Sequence, residues 1–152
     1  MCRARTKKST RQSLRRLVTW RWRRFARRLE GLEQLGELND APALYRGLTV
    51  VVQPSRKESF SLVLLEAMAS GCCVVAAALP HYPELVEQGV TGFLYPAGNV
   101  AALVALLEPL LQDPGRAEAV GRAAAAEVRA RWALEREIAA LRAVYARMER
   151  LR

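Results

Sequence analysis

Short apolar runs alternate with segments of helical periodicity along most of the chain. Three runs, rich in Val, Cys, Ala or Phe and bounded by Pro, Gly or Ser, have the length and composition of strands, and they span residues 48–53, 73–77 and 92–95. Because almost every position in them is apolar, they are typical of parallel strands that are covered on both faces. Residues 34–38 are a candidate for a fourth strand.

Five helices are predicted between and after these strands, over residues 60–70, 83–88, 99–111, 117–131 and 134–150. Gly71 is placed to end the first helix as a C-cap, and Asn99 is placed to begin the third as an N-cap. The Asp-Pro-Gly sequence at 113–115 is expected to separate the third helix from the fourth. This order predicts an α/β fold with a Rossmann-like parallel sheet, right-handed crossovers and C-terminal helices.

The charge divides the chain into two parts. Residues 1–30 contain twelve Lys or Arg and one acid, a net charge of +11, whereas residues 31–152 contain twelve Lys or Arg and fourteen acids, a net charge of −2. We therefore predict a basic N-terminal segment over 1–30, helical or disordered, and a slightly acidic domain over 31–152. A solvated tail is the favoured interpretation of the basic segment, contact with an anionic membrane is the next, and nucleic-acid binding is the least favoured.

The cysteines and the single histidine suggest neither disulfides nor a metal. Cys2, Cys72 and Cys73 are an odd number, and neighbours in sequence rarely pair, so a reducing, cytoplasmic compartment is expected. No apolar run is long enough for a membrane-spanning helix, and a location peripheral to the inner face of the membrane is the alternative. His81 has no Cys or Asp cluster at ligand spacing, so we predict no metal site.

Two acidic residues lie where a parallel sheet binds its ligands. Glu58 falls in the loop after the first strand, and Glu66 falls about two turns into the next predicted helix. The helix start near Ser61 would offer free N–H groups to a diphosphate, and the carboxylates could accept hydrogen bonds from sugar hydroxyls. If only the spacing of the two acids is considered, the commoner arrangement is different: Glu58 would be a solvated loop residue, and Glu66 a helix residue paired with an Arg.

The residues around these acids resemble a known signature. PSRKESFSLVLLEAMASG, residues 54–71, closely resembles the donor-site signature of family 4 retaining glycosyltransferases. The resemblance continues through 74–76, 83–86 and 89–96, has weaker counterparts at 36–38 and 43–45, and covers about residues 31–150. It implies the C-terminal, nucleotide-sugar-binding domain of a GT-B enzyme that transfers a hexosyl group with retention of anomeric configuration.

The resemblance also implies roles for individual residues. Glu58 would be the catalytic carboxylate that contacts hydroxyls of the donor sugar, and Glu66 would hold the nucleoside ribose. The remaining donor-binding residues would meet the sugar and the diphosphate, largely through backbone amides; they are Ser59, Phe60, Ser61 and Leu62. The donor would be a UDP- or GDP-sugar, with no cofactor.

This chain departs from the family pattern in several places. Ser59 and Ser61 stand where Gly is usual, Cys73 replaces a Pro, and His81 with Tyr82 replaces a glycine-rich turn. The acceptor-binding domain and the first strands of the donor domain have no counterpart, so 31–152 is expected to be an incomplete domain, inactive without a separate acceptor-domain chain. Its exposed sheet edge would favour aggregation or oligomerisation. The alternative is a non-catalytic nucleotide-sugar binder, or a basic adaptor for polyanions or membranes.

Overall fold

The computed structural model describes residues 40–150, together with Glu33, Leu35 and Gly36. The basic segment over 1–30 lies outside these residues, as does most of the fourth strand considered over 34–38. The elements of the described part, in chain order, are α1 Ala41–Tyr45, β1 Val50–Gln53, α2 Leu62–Ala69, β2 Cys73–Ala77, a 3₁₀ turn Tyr82–Glu84, β3 Phe93–Tyr95, α3 Val100–Gln112, α4 Pro114–Arg131 and α5 Leu134–Glu149.

The three strands form one parallel sheet, as predicted, and its strand order is β1-β2-β3. β2 is its centre, and all five of its residues are buried. Successive side chains of a strand point to opposite faces, so Val74 and Ala76 enter the apolar layer beneath α2, whereas Val75 and Ala77 enter the layer beneath α3. The helices therefore cover both faces of the sheet, which is why its central strand is apolar at every position.

Two predicted helices differ in length from the observed ones. The helix expected over 83–88 is only a 3₁₀ turn over Tyr82–Glu84. A helix would direct the N–H of Glu87 to the carbonyl of Pro83, but this N–H donates to the Thr91 hydroxyl at 2.9 Å instead. α4 begins at Pro114 rather than at residue 117. The Asp113 side chain accepts from the N–H of Arg116 at 3.1 Å, and proline is well suited to the first position of a helix.

α4 packs closely against the turn that leads into β2. Gly71 ends α2 in the left-handed conformation, with φ +86°, and the N–H of Cys72 bonds to the carbonyl of Ala67. Gly121 lies directly against this turn, since a Cβ at Gly121 would overlap the Gly71 carbonyl oxygen. The absence of a side chain at Gly121 thus sets how closely α4 approaches the sheet.

α2 begins with an unusual backbone conformation. Ser61 is its N-cap and has φ +67° and ψ +72°, the left-handed region that favours glycine. The side chain of Ser61 makes no capping hydrogen bond, although its carbonyl accepts the N–H groups of Leu64 and Leu65. The fold therefore holds a strained, non-glycine residue at the start of its first long helix.

We predict that Gly121→Ala lowers the free energy of unfolding by about 2 kcal/mol or more, because the added methyl group must push α4 away from the Gly71 turn. Urea denaturation followed by circular dichroism measures the change. Gly47→Ala is the control, since a Cβ there lies 3.5 Å from the Leu44 carbonyl oxygen, an ordinary contact. Equal stability of the two variants would contradict this packing.

We also predict that Ser61→Gly raises the free energy of unfolding by about 1 kcal/mol, because relief of backbone strain exceeds the added entropy of the unfolded chain. Ser70→Gly is the matched control. Ser70 has φ −81°, so glycine brings no relief there and should lower the stability by about 0.5 kcal/mol. Thermal and urea unfolding of both variants test this, and a destabilised Ser61→Gly would disprove the strain.

Candidate functional site

Glu58 is held at the carboxyl end of β1 by the last residue of that strand. The Gln53 side-chain amide donates one hydrogen bond to Glu58 Oε1 and another to Ser55 Oγ, both at 3.1 Å. The sequence prediction included Glu58 but not Gln53. A polar residue at the end of an apolar strand is the signal that could have identified it.

Glu66 is the fifth residue of α2, so it lies little more than one turn into the helix rather than two. It is exposed, and neither Glu66 nor Glu58 forms an ion pair within the described residues. Burial, followed by the nearby charge of Glu66, raises the pKa of Tyr45. Glu66 therefore lies near the α1 helix and has both carboxylate oxygens free of protein cations there.

The start of α2 leaves several backbone donors free. Within the described residues, the N–H groups of Phe60, Ser61, Leu62 and Val63 have no protein acceptor. The first N–H groups of a helix point along its axis and carry the positive end of its dipole. An anion at this position would receive hydrogen bonds without any rearrangement of the helix.

Three buried side-chain atoms lack a hydrogen-bond partner in the described part of the chain, and all follow the carboxyl ends of β1 and β2. They are Ser61 Oγ, His81 Nε2 and Tyr82 Oη. His81 and Tyr82 pack edge to face, with ring centroids 4.8 Å apart. Buried polar groups are nearly always paired, so unpaired ones in adjacent loops indicate a place where a ligand or ordered water belongs. The sequence prediction included Ser61 but not the two aromatic residues.

The loop over 54–60 is tied to two other parts of the structure. Phe60 packs edge to face on Trp132, with ring centroids 5.8 Å apart, and Trp132 ends α4. The Arg56 guanidinium lies against Gly98, in the loop after β3: a Cβ built on Gly98 would be 3.2 Å from Nη2 of Arg56. Ser59 is exposed between these anchors. The loops after β1 and β3 therefore meet at one edge of the sheet.

The cysteines in the described part behave as small apolar residues. Cys72 and Cys73 are free and buried, and Cys72 donates to the carbonyl of Tyr45 at 3.1 Å. Burial raises the pKa of Cys73 to about 11, so its reactive thiolate is scarce at neutral pH. No group of His, Cys, Asp and Glu that could hold a metal is found among the described residues. None of the described helices is long and apolar enough to cross a membrane.

Solved structures of similar fold include glycosyltransferases. HepE of Anabaena in complex with UDP superimposes with a TM-score of 0.73 at 26% identity, over 90% of this chain and 38% of HepE. The C-terminal domain of a group 1 glycosyl transferase, LpcC of Francisella tularensis, gives a TM-score of 0.64 over 85% of this chain and 66% of that one, at 23% identity. The α/β fold is therefore that of GT-B glycosyltransferases.

Sequence relatives point the same way. The lipopolysaccharide core biosynthesis mannosyltransferase LpcC of Rhizobium leguminosarum bv. viciae is 47% identical over 111 residues, which are 73% of this chain and 32% of that protein. A D-inositol 3-phosphate glycosyltransferase of Kribbella flavida is 46% identical over 80 residues, 53% of this chain and 19% of that protein. This chain thus spans about a third or less of these relatives. Residues 9–113 match the family model described as glycosyl transferases group 1, and the chain belongs to that family.

Proposed function

We propose that this chain binds a nucleoside-diphosphate sugar at the carboxyl ends of β1 and β2 and forms the donor half of a retaining hexosyltransferase. The observation that carries the proposal is the start of α2. There the N–H groups of residues 60–63 have no acceptor among the described residues, and the preceding Glu58 is held in place by Gln53. Free N–H groups suit the diphosphate, and a fixed carboxylate suits the hydroxyls of the sugar.

The two carboxylates take different parts of the donor. Gln53 bonds to Oε1 of Glu58, so Oε2 and the remaining lone pairs can accept hydrogen bonds from the sugar hydroxyls near the reacting carbon. Glu66 has no ion-pair partner among the described residues and accepts the two ribose hydroxyls. The donor is a UDP- or GDP-sugar: HepE was crystallised with UDP and with UDP-glucose, and the Rhizobium relative is a mannosyltransferase.

Transfer breaks the bond between the anomeric carbon and the diphosphate oxygen, which keeps the bonding electrons. A bond forms from the same carbon to the acceptor hydroxyl oxygen, whose proton passes to the departing diphosphate. Negative charge develops on the leaving diphosphate as the bond breaks. The free N–H groups and the positive end of the α2 dipole stabilise that charge without reorganisation, which is often the largest catalytic contribution. Ser59 and the exposed Leu62 border the same position. The proposal requires neither metal nor cofactor.

The described residues supply the donor half of the site in this proposal. A transferase must hold donor and acceptor together in one site. We therefore propose that residues 40–150 bind a nucleotide sugar but transfer nothing without an acceptor domain beside them. Binding without transfer, even with that domain present, would instead assign a non-catalytic nucleotide-sugar binder.

We predict that Glu66→Ala weakens the binding of the preferred nucleotide by about 10- to 100-fold, because it removes a charged acceptor of the ribose hydroxyls. Isothermal titration of the full chain with UDP, GDP and their glucose and mannose conjugates measures the loss. Glu108→Ala on α3 is the control, since it removes an exposed acid from another helix. Failure of the unaltered chain to bind any of these ligands, or equal binding by Glu66→Ala, would reject the donor site.

A second candidate function rests on the net charge of +11 in residues 1–30. We predict that the full chain co-sediments with vesicles of phosphatidylserine and phosphatidylcholine, and that the bound fraction falls as salt is raised. Vesicles of phosphatidylcholine alone and a variant lacking residues 1–30 are the controls. Equal binding to charged and uncharged vesicles, or unchanged binding after the deletion, would rule out this contact. Stronger binding to RNA than to the vesicles would instead assign residues 1–30 to nucleic-acid binding.

A further inference from the structure

The buried polar atoms without a partner belong to residues at which this chain departs from the family pattern. Ser61 stands where glycine is usual, and His81 with Tyr82 replaces a glycine-rich turn. In the described part of the chain, the unpaired buried side-chain atoms are Ser61 Oγ, His81 Nε2 and Tyr82 Oη, one from each of these residues. A buried polar atom without a partner is unfavourable unless a bound molecule supplies one. The coincidence indicates that the exchanged side chains serve such a molecule.

The loops that carry these residues leave the sheet side by side. Gln53, the last residue of β1, pairs with Ala76, and β2 ends one residue later. Ser61 follows β1 and His81 follows β2, so both lie beyond the carboxyl ends of adjacent parallel strands. Tyr82 belongs to the same apolar layer as the buried face of α2. The turn after β2 therefore packs against the helix that begins after Ser61.

The three unpaired atoms differ in how readily a ligand reaches them. Tyr82 is fully buried within an apolar layer, so an ordered water is the suitable partner for its hydroxyl. Ser61 is the N-cap of α2, its N–H is one of the free donors there, and its Oγ turns about a single side-chain bond. His81 is only partly buried and packs edge to face on Tyr82. Ser61 and His81 are thus the two side chains within reach of a ligand at the start of α2.

We propose that the Ser61 hydroxyl and Nε2 of His81 donate hydrogen bonds to the diphosphate of the nucleotide sugar. This inference rests on the proposed donor site and assigns two further side chains to it. A hydroxyl and an imidazole N–H can both donate, whereas the oxygens of an ionised diphosphate only accept. Ser61 Oγ makes no bond to an N–H of its own helix, so it does not compete with the anion for those donors. Hydrogen bonds to a charged acceptor are the stronger class.

Isothermal titration of the full chain with UDP and GDP tests this assignment. Ser61→Ala and His81→Phe should each weaken binding of the preferred nucleotide roughly tenfold, because each removes a hydrogen bond to a charged group. His81→Phe keeps an aromatic ring against Tyr82. Competition by the corresponding nucleoside, which has no phosphate, should be the same for both variants as for the unaltered chain. Glu66→Ala should instead weaken nucleotide and nucleoside alike, because its proposed contact is with the ribose.

Two further variants and a stability measurement separate binding from structure. Tyr82→Phe is the matched control, since it removes a buried hydroxyl that a ligand does not reach, and its nucleotide affinity should be unchanged. His81→Gln places an amide donor near the position of Nε2 and should recover most of the affinity that His81→Phe loses. Ser61→Ala and His81→Phe should unfold at nearly the same urea concentration as the unaltered chain, because both groups are unpaired without ligand.

The outcomes distinguish this inference from the proposed function. A variant of Ser61 or His81 that binds the nucleotide as tightly as the unaltered chain overturns the role of that residue, while the donor site stands. Equal losses for nucleotide and nucleoside also overturn it, since the side chain would then act on the nucleoside or on the fold. A chain that binds neither UDP nor GDP rejects the donor site itself, and this inference with it.

Discussion

Burial of β2 on both faces is the constraint on which the rest of the described structure depends. A strand of five buried residues can exist only if α2 covers one side and α3 the other. α4 completes both layers, and it can approach the sheet only because Gly121 meets the Gly71 turn without a side chain. With the strands parallel and adjacent, the loops that follow them must all emerge at one edge. The candidate site is a direct consequence of that topology.

The start of α2 shows local strain where a ligand is expected. Ser61 is held in a left-handed conformation, its hydroxyl is buried without a partner, and the N–H groups around it have no acceptor in the described part. The strained backbone and the buried, unpaired hydroxyl each lower the stability of the domain, and they coincide with the free N–H groups at one helix end. Strain and unpaired polar groups of this kind accumulate at functional sites, where the ligand supplies the missing partners.

Two further features of the chain are its N-terminal charge and the apolar face of α5. The net positive charge lies in residues 1–30, while residues 31–152 are slightly acidic. The apolar side chains of α5 lie outside both apolar layers of the sheet. Charge acts over several ångströms and suits an extended anionic surface, whereas an apolar face is stabilised only by direct contact with another apolar surface. The two features are thus suited to different kinds of contact.

The sequence by itself determined the three strands, the four longer helices, their order and the parallel α/β class, because these depend on patterns and caps within a few residues of one another. The short helix α1 was not predicted. Asn99 and Asp113 cap their helices through side chains that reach the N–H three residues on, and such short-range bonds leave a signal in the sequence. The sequence also indicated Glu58 and Glu66 as candidate site residues, because the residues around them resemble a known donor-site signature. The helix predicted over 83–88 was too long, because the Thr91 hydroxyl accepts the N–H of Glu87. This hydrogen bond depends on the turn over 87–91, which the periodicity of the sequence does not reveal.

Only the tertiary structure decided how the site is held. The hydrogen bond from Gln53 to Glu58, the contact of Phe60 with Trp132 and the approach of Arg56 to Gly98 join residues whose meeting depends on how the loops leave the sheet. The left-handed Ser61 is likewise imposed by packing, since serine has no intrinsic preference for that conformation. Periodicity indicates which side of a residue faces inward. It carries no information about which distant residue lies there, and that depends on the packed arrangement of the whole domain.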